Sequence, residues 1–229
     1  MKTLSTLFNA TSYSRLLLPL LFFMIGTGTM MGQNPKDIIR LQTSKAIGEV
    51  FNIDIEAANG ETFSIEGVNG NEEDGYTVSS QNIVVKGNIV SLTCYKNDLI
   101  QIDLSDCHQL KKLDCRGNKL TTLDVSAVSS LQWLACNDNY LTTLNVANLK
   151  HLEELYCHNN KLKNLQVETN TALNQLYCAT NALSALDVSK NTELHVLICH
   201  QNQISAIDVS KNVALTQLSC GDNNIENLD

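Results

Sequence analysis

The sequence predicts a mainly β protein: a solenoid of seven stacked parallel β coils preceded by a small β domain. One pattern of 21 residues recurs along the second part of the chain, with leucine or isoleucine at its first position and asparagine at its ninth. Such a unit is too small to bury its apolar residues except against its neighbours, so a fixed period indicates stacked coils. The aromatic content of only 5% agrees with a narrow interior of aliphatic rows.

Residues 1–32 have the features of a signal peptide. Lys2 and Arg15 precede an apolar run from Leu16 to Ile25, and small residues follow it up to Gly32. The run is about half of the ~20 apolar residues that span a bilayer, so cleavage is favoured over a retained anchor. The first cysteine is Cys94, which disfavours a lipoprotein. We therefore expect an exported protein that is not inserted in a membrane after cleavage.

The charge of the chain bears on its partners. The formal net charge is −8, and without residues 1–32 the balance becomes 14 basic to 24 acidic residues, or −10. This acidity argues against nucleic acid or an anionic membrane as the main partner.

Residues 33–88 carry no repeat and have a β pattern. Residues 51–56 alternate apolar and polar side chains, which predicts a strand with one solvated face. Asn59 and Gly60 tolerate a positive φ, so we expect a tight hairpin that leads into a second strand at residues 63–65.

Two further features complete this segment. Residues 69–75 form an acidic, glycine-punctuated stretch whose carboxylates could hold calcium, but the spacing matches no EF-hand and favours a solvated turn. Residues 83–85 predict a last strand. Because the first coil of a solenoid exposes leucines and strand edges, we interpret residues 33–88 as an N-terminal β cap.

Residues 89–229 form the solenoid, whose last repeat is incomplete. Numbering each repeat from the column of Leu110, positions 1, 4, 6, 11, 14 and 16 are apolar. Positions 4 and 6 point the same way on an extended chain, which predicts one short strand per coil and a parallel sheet with ~4.8 Å between strands. A second strand is expected at positions 14 to 16.

Seven cysteines share position 6 and so form one inward-facing row. Neighbouring Cβ atoms in such a row stay near the ~4.8 Å strand spacing, beyond the ~3.8 Å of a disulfide. We expect buried free thiols that act as small apolar residues and form no metal site. Cys107 lies outside the row, and burial on the far side of the coil is favoured over an accessible thiol. The row comprises Cys94, Cys115, Cys136, Cys157, Cys178, Cys199 and Cys220.

No constellation in the repeats predicts catalysis or a cofactor. The asparagine column, of which Asn160 is one member, is interpreted as structural, because its amides can bond the backbone where each coil turns. A calcium interpretation of the aspartates at position 15 fails because Asn145 and Gln166 interrupt the column. No serine, histidine and carboxylate form a nucleophilic arrangement. We expect neither enzymatic activity nor a cofactor.

The candidate binding residues lie on the outward face of the parallel sheet, which we expect to be concave. Its only tryptophan and four tyrosines point away from the leucine core, and exposed aromatic clusters of this kind mark binding surfaces. Cross-strand pairs that only stabilise the sheet are the alternative. The candidate residues are Tyr95, Arg116, Trp133, Tyr140, Tyr156, His158, Tyr177, Val196, Ile198 and His200.

The segment from Leu110 through Leu113, Cys115 and Asn118 to Leu120 resembles the conserved part of leucine-rich repeats. With cysteine at position 6, the pattern is similar to the bacterial repeats called IRREKO and to the cysteine-ladder repeats of the internalin J type. The resemblance implies a secreted or bacterial cell-surface protein that binds a host or neighbouring-cell protein, with adhesion and virulence as its setting. A rigid spacer for a further domain, or carbohydrate binding on the aromatic face, are the alternatives.

Overall fold

The computed structural model describes residues 37–226, which form fifteen β-strands and one short 3-10 turn. The predicted signal peptide, residues 1–32, lies outside the described residues. The strands of the first half are β1 (Ile38–Thr43), β2 (Val50–Phe51), β3 (Asp54–Ala57), β4 (Ser64–Glu66), β5 (Val68–Asn71), β6 (Gly75–Val78) and β7 (Asn82–Lys86). Those of the coils are β8 (Ile89–Thr93), β9 (Leu99–Asp106), β10 (Lys112–Asp114), β11 (Trp133–Ala135), β12 (Glu154–Tyr156), β13 (Gln175–Tyr177), β14 (Val196–Ile198) and β15 (Gln217–Ser219).

The coils build one eight-stranded sheet in the order β15-β14-β13-β12-β11-β10-β8-β3. Neighbouring coils pair in parallel with a register of one repeat, so that Leu113 faces Leu134 and Leu134 faces Leu155. The predicted mainly β solenoid is therefore confirmed. Within residues 37–226 the structure contains no helix long and apolar enough to cross a bilayer.

The strands before the coils form two further antiparallel sheets. Their orders are β4-β7-β1-β9 and β2-β6-β5. The long strand β9 is the return part of the first coil, and it pairs with β1 so that Leu41 faces Ile102. Strand β3 instead pairs with β8, the first strand of the parallel sheet. It thus satisfies backbone groups that the first coil would leave unpaired.

The expected hairpin between residues 51–56 and 63–65 is wrong. Asn59 and Gly60 do adopt the positive φ that the turn requires, 53° and 69°, but the strands on either side join different sheets. Strand β3 pairs with β8, whereas β4 pairs with β7 and places Ile65 opposite Val85. Pairing with β8 covers the free edge of the first coil, which a local hairpin would leave open.

The expected second strand at positions 14 to 16 exists only in the first coil, as part of β9. In the later described coils this stretch leads into a side-chain turn, as where Asp124 Oδ1 accepts the N–H of Ser126 at 2.9 Å. The carboxylate satisfies the backbone donor locally, so a ladder between coils is not needed there. An isolated bridge at Ile207 is the remaining β contact of this stretch.

The asparagine column ties each coil to the one before it. Asn160 Oδ1 accepts the N–H of Leu141 at 2.9 Å, and its amide nitrogen donates to the carbonyls of Cys136 and Cys157 at 3.0 and 3.1 Å. The preceding residue, Asn159, has a φ of 52°. Each coil repeats this residue of left-handed conformation followed by a hydrogen-bonded asparagine. The pair turns the backbone after the strand and leaves its polar groups with hydrogen-bond partners.

A second asparagine row lies on the far side of the later coils, at position 19. Asn170 is fully buried, and its amide donates to the carbonyls of Val146 and Leu149 at 2.9 and 2.8 Å. Asn191 and Asn212 repeat this arrangement. The row replaces the apolar Cys107, Val128 and Leu149 of the earlier coils and joins the backbones of neighbouring coils by side-chain bonds.

Candidate functional site

The outward sheet face is built from positions 3 and 5 of each coil. The parallel register places Trp133 beside Glu154 and Ala135 beside Tyr156, and Tyr156 beside Tyr177. Since neighbouring strands lie ~4.8 Å apart, side chains on these rows touch those of the next coil. The inward leucines of β10 to β14 are fully buried, so the rows of positions 3 and 5 point away from the core.

Three aromatic rings lie in contact on this face. The ring centroids of Trp133 and Tyr156 are 5.5 Å apart with a 45° tilt, and those of Tyr156 and Tyr177 are 4.8 Å apart and nearly parallel at 21°. Each of the three side chains is half-buried, whereas Ala135, which lies beside Tyr156 on the strand of Trp133, is only 1% exposed. Small Ala135 thus leaves room for the neighbouring rings. We call Trp133, Tyr156 and Tyr177 the aromatic strip.

Glu154 holds the strip in place. Its Oε2 accepts the indole N–H of Trp133 at 3.0 Å and the hydroxyl of Tyr156 at 2.7 Å. Burial, and then the bond to Glu154, raise the pKa of the Tyr156 phenol, so the hydroxyl stays protonated and keeps donating at neutral pH. On the other side of the indole, the ammonium of Lys112 lies 5.0 Å from the ring centroid, a cation–π contact.

Toward the last coils the strip continues into apolar side chains. The register places Ile198 beside Tyr177, and Val196 beside Gln175. Both are half-buried. Because they face outward, they extend the aromatic strip into a mixed aromatic and aliphatic surface.

The two predicted histidines flank this surface. The ring of His158 lies 6.5 Å from that of Tyr177, and its Nδ1 is buried without a hydrogen-bond partner among the described residues. Burial is the main cause that lowers the pKa of His158, against the opposing charge of Asp138. The imidazole is therefore neutral at pH 7. His200 Nδ1 lies 3.2 Å from the hydroxyl of Ser219.

The remaining predicted residues lie apart from the strip. Arg116 pairs with Asp114 at 3.4 Å, and its guanidinium covers the ring of Tyr95 at 5.4 Å. Tyr140 is 48% exposed at the edge of the face, with the ammonium of Lys161 at 5.1 Å from its ring. The structure thus groups the candidates into a central surface, a Tyr95–Arg116 pair and a separate Tyr140.

The cysteine row is made of free thiols. Six of its members are buried, and Cys220 at the last described coil is half-exposed. Burial raises the pKa of Cys136 and Cys199 to about 12, so these thiols stay protonated and unreactive at neutral pH. Cys107 is buried too, and burial followed by the nearby Asp37 raises its pKa to about 12.

Two features of the structure were not predicted from the sequence: a further residue in the hydrogen-bond network of the aromatic strip, and a pocket in the N-terminal region. Gln175 comes within 3.2 Å of the Tyr156 hydroxyl, which its position beside the aromatic column could have indicated. A pocket beside β3 includes the predicted Tyr95 in its lining, but its other walls, among them Phe63 and Tyr76, carried no such signal, because they depend on which strands of the N-terminal region pair.

Comparison with solved structures gives chains of the same architecture. The functional domain of InlJ from Listeria monocytogenes, which includes a cysteine ladder, is 39% identical, with a TM-score of 0.61 over 62% of this chain and 32% of that chain. The leucine-rich repeat domain of APL1B is 23% identical, with a TM-score of 0.53 over 58% of this chain and 43% of that one. The internalin InlF from Listeria monocytogenes is 25% identical, with a TM-score of 0.49 over 54% and 42%.

The comparisons with InlJ and APL1B agree with the repeat pattern of the sequence. The solenoid has the leucine-rich-repeat fold, and the similarity to InlJ is to a domain that also contains a cysteine ladder. This chain spans less than half the length of each of the three chains. No protein-family model and no curated protein matches the sequence.

Proposed function

We propose that this leucine-rich-repeat protein is an exported binding module whose outward sheet face binds another protein. The observation that carries the proposal is the aromatic strip, continued by Val196 and Ile198. Its side chains face away from the core and retain exposed surface. Tryptophan and tyrosine are the residues most often found to dominate protein-binding energy.

Preorganisation supports the same role. Glu154 bonds two of the three side chains, and the rings of Tyr156 and Tyr177 stack on one another, so their conformations are set before a partner binds. A surface that is already ordered loses less conformational entropy on binding. Lys112, whose ammonium lies over the indole of Trp133, supplies a polar rim beside the strip.

The setting we propose is the outside of a bacterial cell, where the module adheres to a protein of a host or neighbouring cell. The leader-like pattern of residues 1–32 and the likeness to the InlJ domain support this setting. The proposal includes no catalytic step. The buried thiols, whose pKa values are raised, are assigned a packing role.

The test is attachment of protein-coated beads to a panel of eukaryotic and bacterial cells. We expect the double variant Tyr156→Ala with Tyr177→Ala to lower attachment about tenfold or more, the loss expected for two central anchors. The matched control is Thr121→Ala with Thr142→Ala, two exposed residues at position 12, away from the outward sheet face. Circular dichroism and the urea midpoint verify that both variants are folded.

Pretreatment of the cells distinguishes the alternatives. Protease treatment should abolish attachment if the ligand is a protein. Loss only after periodate oxidation would instead favour a carbohydrate stacked on the tyrosines. Attachment that is unchanged in the folded tyrosine variant would contradict a role for this face and favour a rigid spacer.

A further inference from the structure

A slot of about 520 Å³ opens beside strand β3, in the N-terminal part of the structure. Its apolar walls are Ile53 and Ile55 on one side and Phe63 and Ile65 on the other, with Tyr76 also in the lining. We call this pocket the junction slot. It exists because β3 and β4, instead of forming a hairpin, join separate sheets in which each is an outermost strand.

The backbone of β3 is open toward one side. Asn52 directs both its N–H and its carbonyl to the side chain of Asn97 in the first coil. Backbone groups of an extended chain alternate in direction, so those of Ile53 and Ile55 point the opposite way, to the outer edge.

Strand β8 gives the same result independently. The N–H of Cys94 and the carbonyl of Val90 bond to the second coil, at Asp114 and Lys111. By alternation, Ser91 and Thr93 bond to β3, where the register pairs them with Glu56 and Asp54. Ile55 therefore presents a free donor and acceptor at the edge, ready to pair with a further strand.

The side chains of β3 define what such a strand would need. Residues directly opposite on neighbouring strands share a face of the sheet. Ile55 faces the same way as buried Leu92, whereas Asp54 and Glu56 lie with Thr93 and Ser91 on the outward sheet face and are exposed. An added strand would thus place alternate side chains among apolar walls and the others beside carboxylates.

The charge of the slot determines which side chains of the added strand can lie beside these carboxylates. The charged residues that the structure describes in the lining of the slot are Asp54 and Glu72, both acidic. Exposed Glu56 extends this negative rim along β3, and exposed Glu73 extends it along the turn before β6. Complementarity therefore requires lysine or arginine between the apolar residues of the added strand.

We propose that the junction slot binds an extended peptide segment of a partner protein, which adds as a strand to the open edge of β3. Apolar residues at alternate positions of the segment enter between Ile55 and Phe63, and basic residues between them pair with Asp54 and Glu72. Main-chain bonds supply affinity, and the alternating pockets supply specificity. This surface is separate from the aromatic strip and does not depend on the function proposed for it.

The probe is a synthetic peptide of about nine residues, a usual strand length, with alternating valine and lysine. Titrated into the isotope-labelled full protein, it should slow hydrogen exchange at the amides of Ile53 and Ile55, because these donors become bonded. Amides in β13 and β14 report on unrelated sites and should not change. The matched peptide with glutamate in place of lysine should bind at least about tenfold more weakly, a difference that rim charges of one sign can produce.

Backbone pairing is tested on the peptide. Methylating one alternate set of its amide nitrogens, or the other, keeps every side chain but removes donors on one edge. At least one of the two sets should weaken binding about tenfold, the equivalent of ~1.4 kcal/mol. If neither set matters, the segment does not add as a strand and the proposal is wrong.

Charge is tested on the protein. Asp54→Lys with Glu72→Lys should abolish the preference for the lysine peptide and leave the fold intact, since both side chains lie at the protein surface. The matched control, Glu168→Lys with Glu193→Lys, changes the net charge equally at exposed residues of the later coils. An equal loss of affinity for the lysine peptide in both variants would mean that only the net charge of the protein matters. It would contradict the role assigned to Asp54 and Glu72.

Two further outcomes would also overturn the proposal. One is that no peptide binds at millimolar concentration. The other is that the protein alone protects Ile53 and Ile55 as its concentration rises, with a matching increase in mass by sedimentation. In that case the edge pairs with a second copy of this chain and not with a partner's segment.

Discussion

The coils and the N-terminal sheets obtain their hydrogen bonds in different ways. A coil finds its partners at one fixed distance along the chain, as where Trp133 pairs with Glu154 and Gln175 with Val196. In the N-terminal sheets the separations vary, so that Arg40 pairs with Val84 on one side and Asp103 on the other. A coil is specified by its own columns, whereas the sheets are specified by which strands meet.

This difference has an energetic consequence. A coil contacts chiefly its two neighbours, so stability in the solenoid is nearly a sum of local terms. The N-terminal strands and the first coil, with Phe51, Ile83 and Leu104, form the start of an apolar cluster that continues through the later coils. Ordering these strands closes long loops, and their stability is gained only when the sheets assemble together.

The largest effect should come from the N-terminal region. Phe51 is 1% exposed, and Phe51→Ala should lower the free energy of unfolding by about 3–5 kcal/mol through lost burial and a cavity. Hydrogen exchange should accelerate across β1, β6 and β7 together and leave β13 and β14 unchanged. The neighbouring control, Val50→Ala at an exposed position, should stay within about 0.5 kcal/mol of the parent. Equal acceleration in β13 would show that the coils do not act locally.

A somewhat smaller effect is expected from the asparagine column. Asn160→Ala removes four hydrogen bonds to the backbone and should cost about 2–4 kcal/mol, because partly buried polar groups lose their partners. Exposed Asn148 lies outside the column, and Asn148→Ala should be nearly neutral by urea denaturation. Exchange should accelerate only in the coils that contain residues 141, 157 and 160. If Asn160→Ala proves neutral, water or another side chain replaces the amide.

The sequence predicts the fold of the coils well and the pairing of the N-terminal strands poorly. The columns of Leu113, Cys115 and Asn118 predict the coil and its sheet, because every contact recurs at the period of the sequence. The partners of β3 and β4 could not be predicted, since the alternation at residues 51–56 and the turn at Asn59 fit a local hairpin equally well. Only the open edge of the first coil distinguishes the two pairings, and that edge is a property of the assembled sheet.

For the candidate site, position determined what could be predicted. The alternation of strand side chains places Trp133, Tyr156 and Tyr177 on one face. It does not predict that Glu154 bonds two of the rings, or that Arg116 is held by Asp114. Those contacts depend on side-chain rotamers and on which positions of neighbouring coils come into diagonal contact. The aligned repeats of the sequence do not give this information.

A still smaller effect would sharpen the view of the coil as a local unit. Position 8 has a positive φ in each described coil, yet it is threonine at Thr180 (53°) and glycine only at Gly117 (66°). Because a β-branched residue is strained there, Thr180→Gly should stabilise by about 0.5–1 kcal/mol. The reverse change, Gly117→Thr, should destabilise similarly, since its added Cβ would lie 3.0 Å from the side chain of Lys96. Thermal unfolding measures both, and a loss in both variants would assign the bond from Thr180 to Gln201 the larger role.

The smallest effect concerns acid and the far turns of the coils. The N–H of Ser126 lowers the pKa of Asp124, and that of Ser189 lowers the pKa of Asp187. Since the folded-state pKa lies below the ordinary value of 3.8, the stabilisation is complete above that pH and is lost as the pH falls through the folded-state pKa.

Asn145 shows that an amide can replace the carboxylate, because its Oδ1 accepts the N–H of Ala147 at 3.0 Å without titrating. Asp124→Asn with Asp187→Asn should therefore reduce the drop in urea midpoint between about pH 7 and about pH 3, by a small amount because both side chains are largely exposed to solvent. The parent protein serves as the reference at each pH. An identical drop in both proteins would mean that acid acts elsewhere, and the N-terminal sheets, where Asp103 bonds the N–H of Ser105 and pairs with Arg40, would be the next place to test.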